Sequence, residues 1–148
     1  MEVLNTIFSS GDSSRLQQIV KQQKNLITKG TSVFVPLNDF GVFEAVTTVE
    51  PQKAGLAKAE LILQLNRFKT EYVTDEELER AKMNIRADKV RKQEEIFQVG
   101  MDIGQAWIDG EDYSEFITKI NAVSKEDIRK AAQKYFTAYA MYELKPKL

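Results

Sequence analysis

Along most of this chain apolar residues recur every three or four positions, and two stretches switch to a strand-like pattern. Val3, Leu4, Ile7 and Phe8 share one side of a helix predicted over Met1–Phe8, which Ser9-Ser10-Gly11-Asp12-Ser13 breaks. Ser13 or Ser14 can cap a second, short helix carrying Leu16, Ile19 and Val20 on one side, with Asn25 as its stop. From Ile27 the pattern becomes β-branched and aromatic through Val33, Phe34 and Val35. Pro36-Leu37-Asn38-Asp39 then reads as a turn, and Phe40–Val49 as the returning strand of an antiparallel hairpin.

Pro51 suits the first turn of a helix over Gln52–Glu71, with Leu61, Ile62, Leu65 and Phe68 at core spacing. Thr74 followed by Glu77 is a capping box, and Val73 can staple against Leu78. Leu78, Ala81 and Ile85 extend the buried stripe. Asp88–Glu95 is charged almost throughout, as a solvated stretch or a junction between helices would be. Apolar spacing resumes at Ile96, Val99, Ile103 and Trp107, then again at Tyr113, Phe116, Ile117 and Ile120. Ser124 caps a last helix with Ile128, Ala131, Ala132 and Tyr135 inward, and Ala138–Leu144 alternates as a closing strand. The expectation is one α+β domain over residues 1–148, an antiparallel-containing sheet packed against several helices. Three strands are few for so many helices, so a first strand is expected upstream of Met1, with the chain a C-terminal part of something longer.

Composition narrows the chemistry more than the fold. The 148 residues hold no histidine and no cysteine, which removes most zinc ligands and most neutral-pH acid–base or nucleophilic groups. A formal charge of −1, from 21 basic and 22 acidic residues, provides no field toward nucleic acid or an anionic membrane. No apolar run reaches the roughly 20 residues of a membrane span, and the start lacks the basic and apolar regions of a signal peptide.

The remaining clusters have bland readings beside the functional ones. Glu76, Glu77 and Glu79 are cation-ligand types, but at a helix start they complement the macrodipole and complete the cap. Lys89, Arg91 and Lys92 sit among Asp88, Glu94 and Glu95, a solvated face with paired charges rather than a phosphate site. Phe97, Met101 and Trp107 could form a ligand pocket or an interface, though residues at this helical spacing are more often core. Arg15 suits either a substrate chamber or a structural ion pair beside a helix start. The hairpin could bind an extended peptide by edge pairing or simply pack within the domain.

Four ordered segments resemble the pitrilysin/insulinase family of zinc peptidases, which includes mitochondrial processing peptidase. They are Asp12-Ser13-Ser14-Arg15-Leu16, Gly41-Val42-Phe43-Glu44 with Glu50-Pro51, Thr74-Asp75-Glu76-Glu77-Leu78-Glu79-Arg80-Ala81-Lys82, and Ile120-Asn121-Ala122-Val123-Ser124-Lys125-Glu126-Asp127-Ile128. The resemblance implies the second, non-zinc domain of one family half, with a fold of the processing-peptidase (ferredoxin-like) kind. In that family two halves close around an unfolded peptide, and zinc is held by an inverted His-x-x-Glu-His motif in another domain. No catalytic residue and no metal ligand is therefore expected here, and zinc is expected in a separate domain of the parent.

Active members place an arginine and a tyrosine of this domain near the substrate. Here Lys21 takes the arginine position and Thr28 the tyrosine position, with Asn25 and Leu26 between them. Lys21 keeps the charge without bidentate geometry, and Thr28 lacks a phenol to stabilise an oxyanion. Arg15, Lys21 and Thr28 are the candidate substrate contacts. The expected function is a non-catalytic domain that helps enclose and bind peptide, with the zinc-bearing domain as partner on the same or another chain. The alternative is a scaffold of the same fold without peptide binding.

Overall fold

The computed structural model describes residues 1–36 and 40–145. Helix α1 (Glu2–Ser9) buries Val3, Leu4, Ile7 and Phe8, the side its spacing predicts. The next helix, Leu16–Gln23, is wound as a π-helix and buries Leu16 and Val20. Asn25 ends it at φ 49, and the Leu26 amide closes onto the Val20 carbonyl at 3.0 Å. Asparagine tolerates that left-handed conformation better than most residues.

Strands β1 (Lys29–Pro36) and β2 (Gly41–Thr48) pair antiparallel, with Val35 opposite Val42 and Ser32 opposite Ala45. The turn expected at Pro36–Asp39 falls largely on Leu37, Asn38 and Asp39, outside the described residues. One face of the hairpin packs inward through Ser32, Phe34, Phe43 and Ala45. The buried Ser32 is fixed to α1: its amide donates to Ser9 Oγ at 2.9 Å, and its hydroxyl lies 2.6 Å from the same oxygen. Gly30 lies where the π-helix crosses the strand. A Cβ there would come within 2.8 Å of Ile27 Cδ1 and 2.9 Å of Leu16 Cδ2, so glycine permits the approach.

After a single 3₁₀ turn begun by Pro51, α2 runs Ala54–Thr70, α3 Asp75–Gln93, α4 Ile96–Ile108, α5 Phe116–Ala122 and α6 Lys125–Tyr135. The predicted capping box forms at Thr74/Glu77, and Ser124, the predicted cap of the last helix, forms a second one with Asp127. Val73 and Leu78 are both buried, as a staple requires. Helix α3 continues through the charged stretch, and the junction falls at Glu94–Glu95. Helix α1 packs on α3 and β1, and α2 on α6. An aromatic relay joins these layers: Phe68 meets Phe8 at 6.4 Å, Phe8 meets Phe43 at 6.0 Å, and Phe43 meets Phe136 at 5.1 Å between ring centroids.

Four expectations give way to tertiary structure. Ala138–Leu144 forms no strand among the described residues, and Tyr139, Met141, Tyr142 and Leu144 are exposed. Among the described residues the sheet has two strands, β1 and β2, paired with each other, and this segment pairs with neither. Helix α2 is rotated from the expected centre: Phe68 is buried as expected, but with Ala57, Glu60 and Gln64, while Leu61, Ile62 and Leu65 are half-buried, Leu61 and Leu65 packed on the core from the flank. Its rotation is stabilised by Lys24, which reaches Glu60 at 2.5 Å, while Gln64 donates to the other Glu60 oxygen at 2.7 Å. Tyr135 is exposed and Phe136 instead packs on the core, because the helix ends between them. Phe97, Met101 and Trp107 lie on the solvent side of α4, because Asp102 on the other side is held by Lys89.

Candidate functional site

The π-helix, the start of β1 and the outer face of the hairpin carry the residues singled out for substrate contact. Arg15 precedes the π-helix and turns inward. Its Nε donates to Glu77 Oε1 at 2.7 Å and its Nη2 to Glu77 Oε2 at 3.0 Å, while the guanidinium stacks 4.3 Å from the Phe68 ring centroid. Only 11% of the arginine side chain and 17% of the glutamate side chain are exposed. The same Glu77 accepts the Thr74 amide at 2.9 Å, so one carboxylate caps α3 and clamps the Ser-Ser-Arg-Leu segment to it. Burial pushes the Glu77 carboxyl up, but the hydrogen bonds from Arg15 and Thr74, with the charges of Arg15 and Arg80, outweigh it. The group is held below the ordinary carboxylate value.

Lys21 is exposed on the last turns of the π-helix, and Thr28 is exposed at the entry to β1. The Thr28 amide and hydroxyl both donate to the Thr48 carbonyl, at 2.8 and 3.1 Å, closing the open end of the hairpin. No hydrogen bond or ion pair among the described residues joins Arg15, Lys21 and Thr28 to one another. The residue missed by sequence reasoning is Glu77 as the partner of Arg15. Its capping role was visible in the spacing, but its second role spans a separation of 62 residues.

The outer face of the hairpin is half apolar. Val33, Val35, Val42 and Val46 are each about half exposed there, with Glu44 among them. The first two alternate along β1 and the last two along β2, so all four project to the same side.

Chemistry requiring a metal finds no support in these side chains. Among the described residues, no three His, Cys, Asp or Glu side chains gather where an ion could be held. Without histidine or cysteine, the described residues offer no ligand set for a zinc centre. No helix among the described residues is long and apolar enough to cross a membrane.

Residues 1–85 match the family model described as the peptidase M16 inactive domain. This chain belongs to that family. Relatives of the M16 inactive domain include two proteins named as uncharacterized zinc proteases. The one from Rickettsia bellii is 32% identical over 145 residues, and the one from Rickettsia felis is 31% identical over 143 residues. Those matches cover 94% and 93% of this chain, which spans about a third (34%) of each relative. In fold it is similar to a protease from Helicobacter pylori, with TM-score 0.83 and 22% identity over 92% of this chain and 34% of that one. An inactive peptidase domain from Bordetella parapertussis matches with TM-score 0.80 and 18% identity, covering 99% of this chain and 83% of that one.

Proposed function

We propose that this M16 inactive domain helps to enclose and hold an extended peptide while a separate, zinc-bearing domain of the same or another chain carries out cleavage. In this reading the chain is a single domain toward the C-terminal side of a longer protein, with a further strand supplied from upstream. The relatives' greater length and the two-stranded sheet support that placement.

The observation that carries the reading is the hairpin. Its outer face presents four valines in two alternating rows, and within the described residues no third strand lies beside β1 or β2. A peptide added to such an edge gains main-chain hydrogen bonds without needing a particular sequence, and the valines accept alternate apolar side chains. Lys21 and Thr28 stand exposed at the end of the hairpin nearest the π-helix and are the proposed polar contacts. Arg15 would have to release Glu77 to reach a peptide, so its proposed contribution is chiefly to hold the π-helix and β1 in place.

Hydrogen exchange with and without an unfolded peptide tests this. The expected outcome is slowed exchange across Lys29–Thr48. Unchanged exchange there, with the peptide in excess, would leave the scaffold alternative.

A further inference from the structure

Helix α4 turns Asp102 inward and most of its large apolar side chains outward. Gln98, Val99, Asp102 and Ala106 are its half-buried positions. Asp102 anchors that side, accepting from Lys89 Nζ at 2.9 Å and from Gln98 Nε2 at 2.7 Å. With 3.6 residues per turn, the opposite side must then face solvent. Ile96 is accordingly 89% exposed, Trp107 82% and Phe97 76%.

Read in either direction from Asp102, that outer side matches in character. Ile96 mirrors Ile108, Phe97 mirrors Trp107, Gly100 mirrors Gly104 and Met101 mirrors Ile103. We infer that this face is the contact between two copies of the chain, their α4 helices crossing antiparallel about a two-fold axis between Gly100 and Gly104. A two-fold contact is self-complementary: residue i meets j, and j meets i. An antiparallel helix pair meets that condition when the face reads alike from both ends. A different polypeptide covering the helix would impose no such symmetry.

The glycines supply a second observation. Each costs a helix about 1 kcal/mol relative to alanine, yet a Cβ at either position meets nothing within 4 Å. Neither needs a positive φ. Nothing among the described residues calls for glycine at these two places, whereas a helix crossing there brings two backbones close together. Charge does not oppose the contact, because Glu95 and Asp109 lie seven residues either side of Asp102 and so project on its side. Area is sufficient as well. Four aromatic side chains bring about 600–1,000 Å² at their usual size, and the isoleucine and methionine pairs add to that. A stable interface needs roughly 1,200–2,000 Å² in total.

Sedimentation equilibrium from micromolar to sub-millimolar concentration tests the contact, together with fluorescence of Trp107, the single tryptophan. The mass is expected to rise from 16.9 kDa toward twice that value, with Trp107 emission moving to the blue in step. Gly104→Glu and, independently, Gly100→Glu should each restore the monomer and the red emission, with an unchanged circular dichroism spectrum. A mass of 16.9 kDa at every concentration would overturn the inference. So would a dimer that survives both substitutions, or one that leaves Trp107 emission unmoved.

Discussion

Arg15 and Glu77 form a two-point ion pair that ties the segment before the π-helix to the first turn of α3. Neither side chain is well solvated, so removing one partner strands the other in a poorly hydrated place. Arg15→Ala is expected to destabilise the fold by about 2–4 kcal/mol, read from chemical denaturation. A comparison of the two caps isolates the pair. Glu77→Ala and Asp127→Ala each remove the N3 carboxylate of a capping box, but only the first also breaks the ion pair to Arg15. Equal losses would mean that the Arg15 contact contributes nothing.

Acid should weaken the fold in a defined window. In Glu77, Glu60 and Asp102, burial pushes the carboxyl up. A partner cation then outweighs it (Arg15, Lys24 and Lys89 respectively), and each group ends below its ordinary value. A carboxylate lowered in the native state binds its proton more readily when unfolded. Its stabilisation is therefore complete above the ordinary value near 4.5 for glutamate, and is lost as pH falls toward the native one. Glu2, raised by burial, titrates with the opposite sign. Thermal melts are expected to drop below pH 4.5, and Glu77→Gln to flatten that drop.

The end of α6 offers a test of register. Tyr135 is 55% exposed, whereas its neighbour Phe136 stacks on Phe43. Tyr135→Ala should change stability by less than about 0.5 kcal/mol, and Phe136→Ala should cost about 2–4 kcal/mol. The reverse order in urea melts would refute the observed packing.

Asp102 decides which side of α4 turns inward. Asp102→Ala deprives Lys89 and Gln98 of a shared acceptor, at a cost of about 1–3 kcal/mol. Because Lys89 also sits 3.8 Å from the Tyr113 ring centroid, the loosening should spread from α4 to the turn after it. Hydrogen exchange should accelerate over Ile96–Ile108 more than over α2, and uniform acceleration would argue against a local anchor.

What this chain's sequence determined by itself is whatever a few neighbouring residues can enforce. Thr74 with Glu77, Ser124 with Asp127, Asn25 after the π-helix and Pro51 before α2 act within one turn of backbone, and all four work where their spacing predicts. The hairpin also follows from its β-branched and aromatic runs, and the side of α1 that is buried follows from its spacing. Tertiary structure decided the rotations and the partners. On α2 and α4, apolar residues are spread widely enough that spacing leaves the inward side open. Distant polar groups settle it: Lys24 draws Glu60 inward, and Lys89 draws Asp102. The same distance hid the second role of Glu77, and it leaves Ala138–Leu144 unpaired despite its alternating pattern. A strand needs a neighbour to donate and accept its backbone hydrogen bonds, and no alternation within one segment can supply that neighbour.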